Sequence, residues 1–155
     1  AHTTAGDFIY VVSGNDLWRS SNLGTGWTEI NEPAGSTAIT ALASDGANVY
    51  VATAGGSAGS KIQKIHGAAV SGTTANTDVW TISDVDGLWV ANGYLLASVG
   101  SRLTWINAGN APSASYDVIN DSTQVTAWQS VIGTPVGIFG AGRQGDKSRI
   151  YYSNY

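Results

Sequence analysis

Short apolar runs separated by turn residues recur along this sequence at a nearly constant period, and that recurrence leaves few architectures open. The clearest copy runs from Leu17 to Asn31, where Leu17-Trp18 and Trp27 to Ile30 flank a polar turn holding Gly24 and Gly26, the pattern of two strands joined by a longer hairpin loop. A tighter copy is Leu88-Trp89-Val90-Ala91, Asn92-Gly93, Tyr94-Leu95-Leu96-Ala97, in which Asn-Gly supplies the two left-handed positions of a two-residue hairpin. Aligning the third strand of each unit puts Leu17, Ile62, Leu103 and Ile150 in register, at spacings of 45, 41 and 47 residues. Aligning the fourth strands pairs Ile30, Ile82 and Ile119.

In chain order the expected strands are Phe8 to Val12, Leu17 to Ser20, Trp27 to Ile30, Ile39 to Ala43, Val49 to Ala52, Lys61 to Ile65, Val79 to Ile82, Leu88 to Ala91, Tyr94 to Ala97, Arg102 to Ile106, Tyr116 to Ile119, Val125 to Val131, Val136 to Phe139 and Arg149 to Tyr152. No window sustains a 3.6-residue period beyond one turn, so helical repeats are excluded. A four-stranded unit of roughly 40 to 50 residues is the period of a β-propeller blade. The expected fold is all-β, with about four units of four antiparallel strands, roughly 1–31, 32–83, 84–120 and 121–155, forming a single propeller-type domain. The first unit has at most a stub of a first strand in His2 to Ala5, and the last has no fourth strand after Tyr152. Both end units are therefore expected to be incomplete. Their open edges would be completed by each other in a four-blade ring, by further blades of a longer chain, or by other protein chains. The absence of an initiator Met suggests processing or excision from something longer.

Composition narrows the function classes. The 155 residues suffice for a sizeable core, and 20 Gly with 15 aromatic residues suit a turn-rich β protein. Seven Lys and Arg, scattered, against 11 Asp and Glu provide no electrostatic footprint for nucleic acid. No apolar run approaches a membrane span, and Ala-His-Thr-Thr does not read as a signal peptide. With no Cys, disulfides and thiolate metal sites are impossible, which leaves the compartment open.

Two resemblances add to this reading. Ser20-Ser21-Asn22-Leu23-Gly24-Thr25-Gly26-Trp27 resembles the Asp-box, the Ser-x-Asp-x-Gly-x-x-Trp hairpin between the third and fourth strands of sialidase-type propeller blades, with Asn22 in the place of Asp. In such a hairpin a short polar side chain accepts turn amide protons, Gly takes the tight backbone and Trp anchors the loop on the blade, which makes Ser20, Asn22, Gly24 and Trp27 the structural set here. Secondly, Arg149 to Tyr155, and in general style Thr40 to Thr53, is similar to blade motifs of bacteriophage tail and virion propellers. That resemblance implies a structural or receptor-binding virion part.

Chemistry-bearing residues are few. His2 and His66 show no metal-ligand spacing, and no cofactor is expected. Asp84 and Asp86 lack the rest of a calcium-loop pattern and read as turn residues. Asp45 and Asp117 could be read as a glycosidase pair, yet turn Asp is common in propellers. A sialidase would converge three of Arg19, Arg102, Arg143 and Arg149 on a substrate carboxylate beside a Tyr-Glu pair, but the only glutamates are Glu29 and Glu32 and no such motif accompanies them. Trp18, Trp27, Trp80, Trp89, Trp105 and Trp128 fall mostly in strands and read first as packing between blades. Trp105 with Asn107, and Tyr151 with Asn154, could instead stack and hydrogen-bond a sugar. Asn120-Asp121-Ser122 is a formal glycosylation sequon in a loop.

The sequence thus points to a non-catalytic module acting by assembly or surface binding, in a virion or other extracellular structure. A glycan-binding lectin comes second, with cell-surface glycan as its partner, and a fragment of a sialidase-like hydrolase third.

Overall fold

A computed structural model describes residues 2–5, 7–30, 38–55, 60–66, 76–81, 85–106, 116–120 and 125–154. Their strands are β1 (His2–Ala5), β2 (Phe8–Ser13), β3 (Asp16–Ser20), β4 (Thr28–Ile30), β5 (Ala38–Ser44), β6 (Asn48–Ala54), β7 (Lys61–His66), β8 (Asn76–Thr81), β9 (Gly87–Ala91), β10 (Tyr94–Val99), β11 (Arg102–Ile106), β12 (Tyr116–Asn120), β13 (Ala127–Thr134), β14 (Gly137–Gln144) and β15 (Lys147–Ser153). They form four antiparallel sheets, each a simple meander: β1 to β4, β5 to β8, β9 to β12, and β13 to β15. No helix occurs among the described residues.

The meander arises because each strand is short and ends in a residue able to reverse the chain. Asn92 and Gly93 take φ of 52° and 79°, the two left-handed positions that the Asn-Gly pair predicts. Gly14, Gly46, Gly100 and Gly145 also have positive φ at hairpin turns. Extra residues sit at equivalent places in different sheets. The register between third and fourth strands shifts at Ile62/Gln63 and again at Leu103/Thr104, and that between first and second strands shifts at Ile39/Ala41 and at Trp128/Ser130.

Two differences from the sequence reading stand out. The first sheet is complete, because the short β1 pairs with β2 through all four of its residues, and only the last sheet has three strands. The fourth strand of the second sheet begins at Asn76, and the residue opposite Ile62 is Trp80, whereas Leu17 and Leu103 face Ile30 and Ile119 as aligned. The Ile82 alignment is therefore two residues off; the extra residue of this pairing, Val79, lies in β8 between Asp78 and Trp80, and Ile82 itself lies outside the described residues.

The residues cluster into two compact units, 1–83 and 84–155. In the first, Ala5, Tyr10, Leu17 and Ile30 of the first sheet pack on Leu42, Val49, Val51 and Ile65 of the second. In the other, Ala91, Leu96 and Leu103 of the third sheet pack on Trp128, Val131 and Ile138 of the fourth, with Val125 between strands. Each unit is thus a sheet-on-sheet sandwich, and each fully buried aliphatic side chain in it contributes about 1.5–3 kcal/mol. Asn92 stitches the second sandwich: its side-chain amide donates to the carbonyls of Thr134 (3.0 Å) and Gly137 (3.4 Å) at the β13–β14 turn. A Cβ on Gly133 would lie 2.7 Å from the Asn92 backbone nitrogen, so only glycine permits that approach.

Candidate functional site

The hairpin between β3 and β4 is built around two side-chain oxygens. The Ser20 hydroxyl donates to Asn22 Oδ1 (2.8 Å) and accepts from the amides of Asn22 (3.3 Å) and Gly24 (2.9 Å). Asn22 Oδ1 also accepts from the Gly26 amide at 2.8 Å, and the Asn22 carbonyl accepts from the Thr25 hydroxyl at 2.9 Å. Leu23 and Gly24, at φ of 57° and 89°, make the reversal. The network explains why a short side chain with an acceptor oxygen stands at position 22. It closes the loop without using the amide nitrogen by which Asn differs from Asp.

Trp27 stands just before β4 and is 42% exposed, which corrects the reading of it as a side chain packed between blades. Its ring lies close to Gly24 and, with Val11, Ser13 and the half-buried Trp18, lines an open hollow of about 320 Å³ on the first sheet. Register places Val11 opposite Trp18 and Trp18 opposite Glu29, so the hollow lies on the sheet face opposite Tyr10, Leu17 and Ile30.

The other candidates are spread out. The half-buried Trp105 meets Tyr94 edge-on at 5.0 Å and packs on the core of the second unit. Tyr151 does the same, edge-on to Trp128 at 5.2 Å. Asn154 is exposed after β15, and Asn107 lies outside the described residues. Of the arginines, Arg19 is buried beside Tyr10 with its guanidinium 4.5 Å from the centre of the Phe8 ring, Arg102 is in the third sheet, and Arg143 and Arg149 are in the fourth on opposite faces. Burial pushes the Tyr10 phenol up, and the charge and hydrogen bond of Arg19 offset part of that rise.

Asp45 is committed to its turn. It accepts from the amides of Ala47 (2.9 Å) and Asn48 (2.7 Å), from the Asn48 side chain and from the Tyr50 hydroxyl (2.8 Å). Burial alone would raise its carboxyl, but these hydrogen bonds prevail and hold it at about 2. Burial, then the hydrogen bond to Asp45 and its charge, push the Tyr50 phenol up. Asp86 caps another turn, accepting from the Gly100 amide at 2.7 Å. Asp117 lies in β12 and its side chain is outside the described set, as are those of Trp80 and His66, while His2 is exposed on β1. Asp84 and Glu32 are outside it altogether, whereas Glu29 is exposed on β4. Asn120 of the sequon ends β12 and is not in a loop. Among the described residues no three His, Cys, Asp or Glu come together as metal ligands, and no helix is long and apolar enough to cross a membrane.

Meandering four-stranded sheets with equivalent bulges, stacked in pairs, decide the fold. It is a β-propeller. Solved structures agree. The chain is similar to the WD40 domain of Neurospora crassa Pan2 (TM-score 0.65, 12% identity, covering 100% of this chain and 46% of that one). It is also similar to the WD40 β-propeller domain of Doa1 (0.62, 13%, 98% and 50%) and to Bacteroides ovatus xyloglucan PUL GH43B (0.56, 15%, 100% and 38%). The chain spans about half the length of the propeller domains it matches, as a partial propeller of about four blades. No protein-family model and no curated protein matches it.

Sequence reasoning missed two surfaces. The Trp18–Trp27 hollow could have been found from the strand alternation that puts Val11 and Trp18 on one face. The other is the outer face of the fourth sheet, where Ile132, Ile150 and Tyr152 are exposed. Alternation groups them together, but it says nothing of whether another sheet covers them.

Proposed function

We propose that this propeller acts without catalysis, as an assembly or surface-binding module of a virion or other extracellular structure. The observation that carries the reading is the apolar outer face of the fourth sheet, with Ile132, Ile150 and Tyr152 at 60%, 80% and 51% exposure, a surface suited to being covered by protein. The Ser20–Trp27 hairpin supports kinship with Asp-box blades, and the Arg149–Asn154 strand supports kinship with phage tail blades. The carboxylate chemistry points the same way: turn hydrogen bonds hold Asp45 at about 2, and a general acid needs a carboxyl held near the working pH.

Labelled protein applied to a panel of bacterial cells and isolated envelopes tests the reading, with saturable binding expected to at least one surface. Turnover on a glycoside panel that disappears with a single Asp→Asn substitution would overturn it. One observation favours a lectin as the second reading: Trp27 and Trp18 offer ring faces beside Ser13 in an open hollow. Sugar-competed binding on a glycan array, lost in Trp27→Ala, would select it.

A further inference from the structure

The third-strand positions Leu17, Ile62 and Leu103 are all fully buried, whereas Ile150, the fourth member of that series, is 80% exposed. Leu17 turns toward the second sheet and Leu103 toward the fourth. In β15 the face carrying Ile150 also carries Tyr152, which pairs with Phe139, while Ala141 pairs with Ile150 and Ile132 with Phe139. Tyr152 leans on Phe139 at 4.9 Å and its hydroxyl donates to the Val136 carbonyl, so the face is an ordered apolar floor. Its opposite number is the outer face of the first sheet, which has Ile9, Val11 and Trp18 half-buried; equivalent residues in the second sheet, Val49 and Val51, are fully covered by the first.

We infer that these two faces are the halves of one interface between two copies of this chain, the fourth sheet of one copy seated on the first sheet of the other. Two observations favour a second copy over an unrelated partner. The interface repeats the sheet-on-sheet contact already made twice within the chain. The charges are also complementary: register puts Asp16 and Glu29 on the first-sheet face beside Trp18, and Arg143 on the fourth-sheet face beside Ala141. The inference rests on reading the chain as an assembly module and names the partner.

Light scattering of the 155-residue chain tests it. The expected mass is that of two or more copies, against 16.0 kDa for one. Ile150→Asp, at an exposed position that folding does not need, and Val11→Asp should each give monomers, with the dissociation constant raised at least ~30-fold. Mixing the two variants should restore the pair, because one junction then keeps both native faces; thermal melts verify that each variant is folded. A wild-type chain that stays monomeric at high micromolar concentration overturns the inference. So does pairing broken by Ile150→Asp but untouched by Val11→Asp, which would mean a contact between identical faces. A monomer that still binds cell surfaces would sink the pairing and leave the functional reading standing.

Discussion

Leu103 and Ile150 occupy matching places in neighbouring sheets and have opposite fates. Leu103 is sealed between the third and fourth sheets with Leu96, Val131 and Ile138, and Ile150 looks out from the far side of the fourth. The same strand pattern therefore yields core or surface according to whether a further sheet is stacked on it. In this fold burial is a property of the stack more than of the residue. The contrast predicts that Leu103→Ala lowers folding stability by about 3 kcal/mol in urea titration, while Ile150→Ala, measured in dilute monomer, changes it by no more than about 0.5 kcal/mol. Equal losses at the two sites would break the comparison.

Gly133→Ala sharpens it from the side of the stitch. The added methyl meets the Asn92 side chain and backbone, and the expected cost is about 2 kcal/mol, part of which Asn92→Ala in the same chain should relieve. A smaller effect belongs to the hairpin that leads away from the stack. Ser20→Ala removes one donor and two acceptor contacts and should cost about 1 kcal/mol, whereas Asn22→Asp keeps the accepting oxygen and should be near neutral at pH 7. A further small effect is acid sensitivity at the β5–β6 turn. Asp45 falls from an ordinary 3.8 to about 2 on folding, so its contribution is complete above pH 4 and is lost as pH falls from about 4 to about 2. Because the turn is solvent-exposed, the loss should amount to no more than about 1 kcal/mol, and Asp45→Asn should flatten that part of the stability profile.

Much of the fold was legible because the signals were local. Asn92-Gly93 dictates its hairpin through backbone sterics alone, and runs such as Val49 to Ala52 declare a strand buried on both faces by having no polar side. The fourth strand of the second sheet is expected two residues late because Ile82 matches Ile30 and Ile119 by residue type, whereas the position opposite the third-strand isoleucine is filled by Trp80. Trp27 was expected in a core because Trp usually is, yet the Ser20–Gly26 network closes the hairpin through backbone amides and leaves the indole beside the hollow. The candidate site was harder still. Trp105 and Tyr151 resembled sugar platforms by residue type, and only packing against Tyr94 and Trp128 shows that their rings already have neighbours.

The three-stranded last sheet has a consequence for how the protein behaves at high concentration. Among the described residues β15 pairs only with β14, and a strand paired on one side is a template on which an extended segment can lie down. Here it carries Lys147 and Arg149 among Ile150, Tyr151 and Tyr152, so a second identical strand would bring like charges together. Those two cations act as gatekeepers, favouring discrete assembly over the open-ended ribbon that Ile-Tyr-Tyr would otherwise nucleate.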